Sequence, residues 1–139
     1  MNILFLCVAN SARSQMAEGL ARSMLGNDHN IQSAGSIPSG EVHPNAVKAM
    51  DDIGIDIREQ FSKSTEDLDD EFLNNLDYAI TLCAEEVCPV LPSNAQNLHW
   101  LNEDPANITY SDKQLESSFS NTRDNLYKLV KKFMMETSF

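Results

Sequence analysis

The run Ile3-Leu4-Phe5-Leu6 passes directly into Cys7-Val8-Ala9-Asn10-Ser11-Ala12-Arg13-Ser14 and then into an amphipathic stretch, and this constrains the fold more than any other feature of the chain. An apolar run without polar alternation suits a parallel strand covered on both faces. Met16, Ala17, Leu20, Ala21, Met24 and Leu25 then recur at helical spacing, and Gly26-Asn27 supplies a stop. Strand, polar loop and helix in that order open an α/β unit.

The remaining elements continue the alternation. A short strand is expected around Ile31, ending near Ala34-Gly35. His43-Pro44 opens a helix with proline at its first position, Ala46, Val47, Met50 and Ile53 line its inner face, and Gly54 closes it. From Ile55 to Thr65 the chain reads as irregular. Ser64-x-x-Asp67 caps a short helix running to about Asn74. Tyr78-Ala79-Ile80-Thr81-Leu82 is a second buried strand and Leu98-His99-Trp100 a third short one. Ser111-x-x-Gln114 is a capping box for a long last helix, with Leu115, Phe119, Leu126, Leu129, Val130 and Phe133 as its buried stripe. Right-handed crossovers on this order give a three-layer α/β sandwich with a small, about four-stranded parallel sheet. The 139 residues form one domain, 1–139, with no repeat or linker to divide them.

Composition narrows the partners. Ten Lys and Arg stand against 21 Asp and Glu, a net charge of −11, which argues against nucleic acid and anionic membranes. No apolar stretch is long enough to span a bilayer, and the start of the chain lacks a basic leader region. Three cysteines are an odd number and too few for a secreted disulfide framework, so a reducing cytoplasm is expected. No glycine fingerprint calls for a nicotinamide or flavin, and no cysteine or histidine spacing calls for zinc. The acidic runs Asp51-Asp52 and Glu66 to Glu71 read as solvated faces. His43 shapes a helix start, His99 is structural, and His29 lies at the surface.

The loop from Val8 to Ser14 carries the chemistry. A strand–loop–helix connection aims backbone N–H groups into one concavity backed by a helix N-terminus, a site for a tetrahedral oxyanion. Arg13 adds a planar, permanently charged fork. The same positive potential favours Cys7 as the attacking thiolate, with the Ser14 hydroxyl placed to hydrogen-bond its sulfur. Asn10 fixes the loop and tolerates a left-handed conformation. A cysteine near an arginine is more often a buried small hydrophobe beside a surface charge, but the five-residue spacing, the strand before and the helix after favour the site. Cys83, at a strand end, and Cys88 read either as inert core thiols or as redox partners of Cys7. Asp104-Pro105 reads either as a turn or as an acid beside the site.

Cys7-x5-Arg13-Ser14 resembles the phosphate-binding loop of the low-molecular-weight protein tyrosine phosphatase superfamily. The longer stretch Asn10-Ser11-Ala12-Arg13-Ser14-Gln15-Met16-Ala17-Glu18-Gly19 is similar to its thioredoxin-coupled arsenate reductase branch. Ser33-Ala34-Gly35, His43-Pro44, Gly54-Ile55-Asp56-Ile57, Thr81-Leu82-Cys83 and His99-Trp100 with Asp104-Pro105 agree with it. The resemblance implies a low-molecular-weight phosphatase-like fold and an arsenate reductase. Arsenate, with phosphate or sulfate as mimics, would bind in the loop Val8, Ala9, Asn10, Ser11, Ala12, Arg13 and Ser14. Cys7 would attack arsenic and Asp104 protonate the departing oxygen. Cys83 would then attack Cys7 and Cys88 attack Cys83, leaving a Cys83–Cys88 disulfide for thioredoxin or a glutaredoxin-like protein. No cofactor is tightly bound, and a monomer is expected.

Four departures from the family pattern stand out. The cysteine pair encloses only Ala84-Glu85-Glu86-Val87, a short insert, and position 12 is Ala where relatives carry another Cys. Ala106 replaces the tyrosine of the phosphatase branch, which weakens recognition of an aromatic ester. Where relatives hold potassium with groups matching Asn10, Glu18 and Ser33, the fourth position is Lys63, which reads either as an ordinary solvated lysine or as an ammonium standing in for the ion, so that no metal would be needed. The competing reading is a phosphomonoester hydrolase using Cys7, Arg13 and Asp104, with Cys83 and Cys88 only protecting Cys7. A third is a non-catalytic oxyanion-binding or redox-sensing module.

Overall fold

The computed structural model describes residues 1–26, 28–83, 94–107 and 109–137. Four parallel strands, β1 (Asn2–Cys7), β2 (Asn30–Gly35), β3 (Tyr78–Thr81) and β4 (Gln96–His99), lie in the order β2-β1-β3-β4. The helices are α1 (Arg13–Leu25), α2 (Pro44–Asp51), α3 (Asp70–Asn74) and α4 (Asp112–Glu136), with a 3-10 turn at Thr65–Asp67.

β1 explains why the sheet must be covered twice. Ile3 and Phe5 join one apolar cluster with Met16, Leu20, Met50, Phe119 and Leu126; Leu4 and Leu6 join another with Ala34, Leu68, Phe72 and Ala79. All four β1 side chains are at most 1% exposed. Each such burial contributes roughly 1.5–3 kcal/mol, so no face of this strand tolerates water. The chain leaves β1 for β2 on one side and later adds β3 on the other. The carboxyl end of β1 is therefore a switch point, where open α/β sheets form their ligand crevice. Cys7 is the last residue of β1.

The helix boundaries follow local chemistry. His43 caps α2, its Nδ1 accepting from the Asn45 N–H at 3.1 Å, with Pro44 at the first position. Ala46, Ala49 and Met50 are buried, whereas Ile53, expected on the inner face, lies beyond the helix and is 41% exposed. The single helix expected from Ser64 to Asn74 is two pieces. Leu68 turns extended (ψ 140°) to bury its side chain, and Asp69 restarts the helix as a new cap. α4 begins at the expected capping box, with Ser111 and Gln114 exchanging bonds, and buries Phe119, Leu126, Val130 and Phe133. Leu115 and Leu129 are only partly buried. Among the described residues no helix is long and apolar enough to cross a membrane.

Candidate active site

The loop after β1 is held from outside by its carbonyls. Val8 O accepts from Ile37 N (3.0 Å), and Ala9 O from Ser39 N (2.9 Å) and Ser62 Oγ (3.2 Å). Asn10 O accepts from Gln15 Nε2 (3.1 Å) and Ser11 O from His43 N (2.8 Å). A planar trans peptide sets each N–H opposite the preceding C=O, so four carbonyls pulled outward turn the N–H groups of Ala9, Asn10, Ser11 and Ala12 inward. The Asn10 N–H accordingly donates to Cys7 Sγ at 3.3 Å. Ala12 precedes α1 without a side-chain cap, leaving that helix end to serve the same concavity.

Asn10 is the pivot. It is the only non-glycine residue with positive φ (49°) among those described, and it is fully buried. Its amide valences are all satisfied. Nδ2 donates to Ser14 Oγ (2.8 Å) and Ser33 Oγ (3.0 Å), while Oδ1 accepts from Lys63 N (2.9 Å) and Gln15 Nε2 (3.0 Å). Because Ser14 Oγ accepts from Asn10, its own hydrogen is directed to Cys7 Sγ, 2.9 Å away. The Gln15 amide is oriented by chemistry as well. Its Nε2 faces three oxygens, of Asn10 (O and Oδ1) and Phe61, and its Oε1 receives Gln60 Nε2 at 2.9 Å.

Beneath the loop, Glu18 is 3% exposed and both its oxygens are engaged. Oε1 accepts from Ser33 Oγ at 2.7 Å and Oε2 from Arg22 Nε at 3.0 Å. The cation in contact with Glu18 is thus Arg22 rather than Lys63. Arg22 lies one turn along α1, and its fork also reaches the Ile31 carbonyl. Lys63 meets the cluster through its backbone N–H on Asn10, and its ammonium stands 4.8 Å from the centre of the Phe61 ring. Burial holds that ammonium below the ordinary lysine value, opposed by Glu18 and Asp67 and reinforced by Arg22.

Arg13, 5% exposed, donates from Nη1 to the Asn102 carbonyl at 2.9 Å. Asp104, two residues on, is exposed, and its Oδ1 accepts from Ala106 N at 3.0 Å. Its charge opposes the burial that holds His43 below its ordinary value, and His43 N in turn donates to Ser11 O of the loop at 2.8 Å. Cys83 is buried just past the end of β3, which pairs with β1 in the register Leu6↔Thr81. Cys83 and Cys7 therefore belong to the same sheet edge. Cys88 and the insert before it lie outside the described residues.

His43 gives a pH signature. Its ring packs on Phe119 (centroids 4.6 Å apart), and burial holds it below the ordinary value of 6.5, against the opposing pull of Asp104 and Glu41. As pH falls through 6.5 the unfolded chain takes up a proton before the folded one, so stability declines until the folded value is passed. Asparagine keeps the cap without titrating. His43→Asn should therefore flatten the loss of thermal midpoint between about pH 7 and 5, as melting curves across that range would show.

Sequence reasoning missed Gln15, Gln60, Arg22 and Asn102. A signal existed for two of them: Gln15, Glu18 and Arg22 recur at spacings of three and four, a polar stripe on a helix whose first nine residues are all buried.

The chain belongs to the low molecular weight phosphotyrosine protein phosphatase family, whose pattern it matches over residues 2–138. Within that family it is similar to the arsenate reductase of Halalkalibacterium halodurans, 46% identical over 133 residues that cover 94% of this chain and 93% of that one. Among solved structures it resembles an arsenate reductase in the phosphate binding state, with a TM-score of 0.79, 31% identity and 98% of both chains covered. It also resembles the thioredoxin-dependent arsenate reductase of Corynebacterium glutamicum, with a TM-score of 0.68, 29% identity and coverage of 97% of this chain and 62% of that one.

Proposed function

We propose that the protein is an arsenate reductase that converts arsenate to arsenite through a Cys7 adduct and a thiol–disulfide relay. The observation that carries this reading is the loop geometry: outward-bonded carbonyls, inward N–H groups and a free Cys7 sulfur receiving bonds from Ser14 and Asn10. Such a cradle fits a tetrahedral oxyanion, and hydrogen bonds donated to sulfur stabilise the charge it needs to attack. The loop N–H groups from Val8 to Ser14 and the Arg13 guanidinium hold the anion. Similarity to named arsenate reductases supports reduction over hydrolysis.

The steps balance as follows. Cys7 sulfur attacks arsenic and one arsenate oxygen departs as water, protonated by Asp104. The Cys83 thiolate attacks Cys7 sulfur, forming a Cys7–Cys83 bond while the S–As bond breaks. Its electron pair stays on arsenic, which leaves as arsenite. Cys88 then attacks Cys83, freeing Cys7 and moving the disulfide to Cys83–Cys88, which an external dithiol protein such as thioredoxin reduces. The setting is a reducing cytoplasm, the protein acts as a monomeric single domain, and no resident cofactor takes part.

The family also holds phosphatases, and Cys83→Ser separates the two readings. Arsenate turnover should fall by at least about a thousandfold, because no thiol then resolves the adduct, while slow hydrolysis of an aryl phosphate persists within about threefold. Arsenate turnover retained in this variant would exclude the relay.

A further inference from the structure

Seven polar or charged side chains are buried among the described residues, and six of them (Asn10, Arg13, Ser14, Gln15, Glu18 and Ser33) belong to the loop or the network beneath it. The seventh, Asn102, is 5% exposed and lies far along the chain from the loop, on the segment that follows β4 and carries Asp104. A buried amide costs free energy unless its groups are bonded, and here every one is. Asn102 Nδ2 donates to the Trp100 carbonyl at 2.9 Å, and Oδ1 accepts from Asn125 Nδ2 at 2.7 Å. Its N–H donates to Leu82 O at 3.2 Å, and its carbonyl receives Arg13 Nη1 at 2.9 Å.

The amide orientation is set by its partners. Only Nδ2 can face the Trp100 carbonyl, so Oδ1 must turn to α4, where Asn125 offers a donor. One residue thus ties three elements together: the arginine at the start of α1, the Asp104 segment, and the middle of α4. We propose that Asn102, pinned by Asn125, is a positioning residue that fixes the plane of the Arg13 guanidinium and the path of the Asp104 segment. Asn125 has no part in the loop chemistry itself. It acts on the site from the protein surface, through a single hydrogen bond. Two-pronged recognition of an oxyanion depends on the plane of the arginine fork, and displacements of about 1 Å at a reacting group can change rates about a hundredfold.

This inference rests on the reading that Arg13 holds the oxyanion, and its test keeps the two apart. Inorganic phosphate affinity by calorimetry and arsenate kcat and KM are measured on wild type, Asn102→Ala, Asn125→Leu, Asn125→Asp and Asn121→Asp, with thermal midpoints for each. Asn125→Asp preserves shape but sets an acceptor against Asn102 Oδ1. Asn121→Asp adds the same charge one turn earlier on α4 and serves as the charge control. Phosphate Kd and arsenate KM should rise in parallel, about tenfold for Asn102→Ala and about threefold or more for both Asn125 variants. The Asn125 variants should stay folded but melt a few degrees below wild type, because the buried Asn102 Oδ1 loses its donor. Folded Asn125→Asp and Asn102→Ala with phosphate Kd within about twofold of wild type would overturn the proposal. A wild type that binds phosphate but does not turn over arsenate would contradict the reductase reading alone, and the phosphate arm would still decide the positioning role.

Discussion

Cys7→Ser should abolish arsenate turnover, by about four orders of magnitude or more, while phosphate still binds within about threefold of wild type. The two effects separate because they have different physical sources. On the proposed reading binding comes from inward N–H groups and the Arg13 fork, neither of which the substitution touches. Attack needs a polarisable thiolate, and a serine hydroxyl in the same place, hydrogen-bonded to Ser14 as Cys7 is at 2.9 Å, stays protonated and inert. Single-turnover assays beside phosphate titrations would read both. Loss of both together would mean that the sulfur organises the loop rather than performs chemistry in it.

Gly35→Ala should be nearly as damaging, through a residue that touches no substrate. A Cβ at this position would lie 2.2 Å from Val8 O, 2.9 Å from Val8 C and 3.0 Å from Asn10 N, all backbone atoms of the loop after β1. Backbone cannot swing aside as a flexible side chain does, and Val8 O is already held by Ile37 N. The clash must be relieved by moving β2 or the loop. Moving β2 breaks the Gly35–Lys63 hydrogen bond, at 3.0 Å, and moving the loop breaks the Ile37–Val8 and Lys63–Asn10 bonds that hold it. We expect a loss of roughly 3 kcal/mol in stability and of about a hundredfold in phosphate affinity. Chemical denaturation and calorimetry would measure them. A variant with wild-type phosphate affinity would show that the loop has slack the packing denies.

Much of the fold is legible in the sequence. The unbroken apolar run of β1 required cover on both faces, and His43-Pro44 and Ser111-x-x-Gln114 marked helix starts because capping is local chemistry. What stayed hidden depends on contacts distant in sequence. Ser64 does begin a helical turn, but the demand of Leu68 for burial broke it and Asp69 restarted it. Lys63 was one candidate for a cation's place beside Asn10, Glu18 and Ser33, whereas the cation bonded to Glu18 is Arg22, one turn away on the same helix. Asn102 carried no signal, because its value lies in partners at positions 13, 100 and 125 that only the folded chain assembles. The candidate site was legible at the loop, where strand, loop and helix are contiguous. It was less so at Asp104 and Cys83, which reach the same edge by way of the sheet.

The most direct test of the account is arsenate-dependent NADPH consumption with thioredoxin and thioredoxin reductase supplied, followed by mass mapping of the cysteines after a single turnover without reductant. Steady turnover together with a Cys83–Cys88 disulfide is the expected result. No NADPH consumption, with steady hydrolysis of an aryl phosphate by the same sample, would contradict the reductase and identify the protein as a phosphatase.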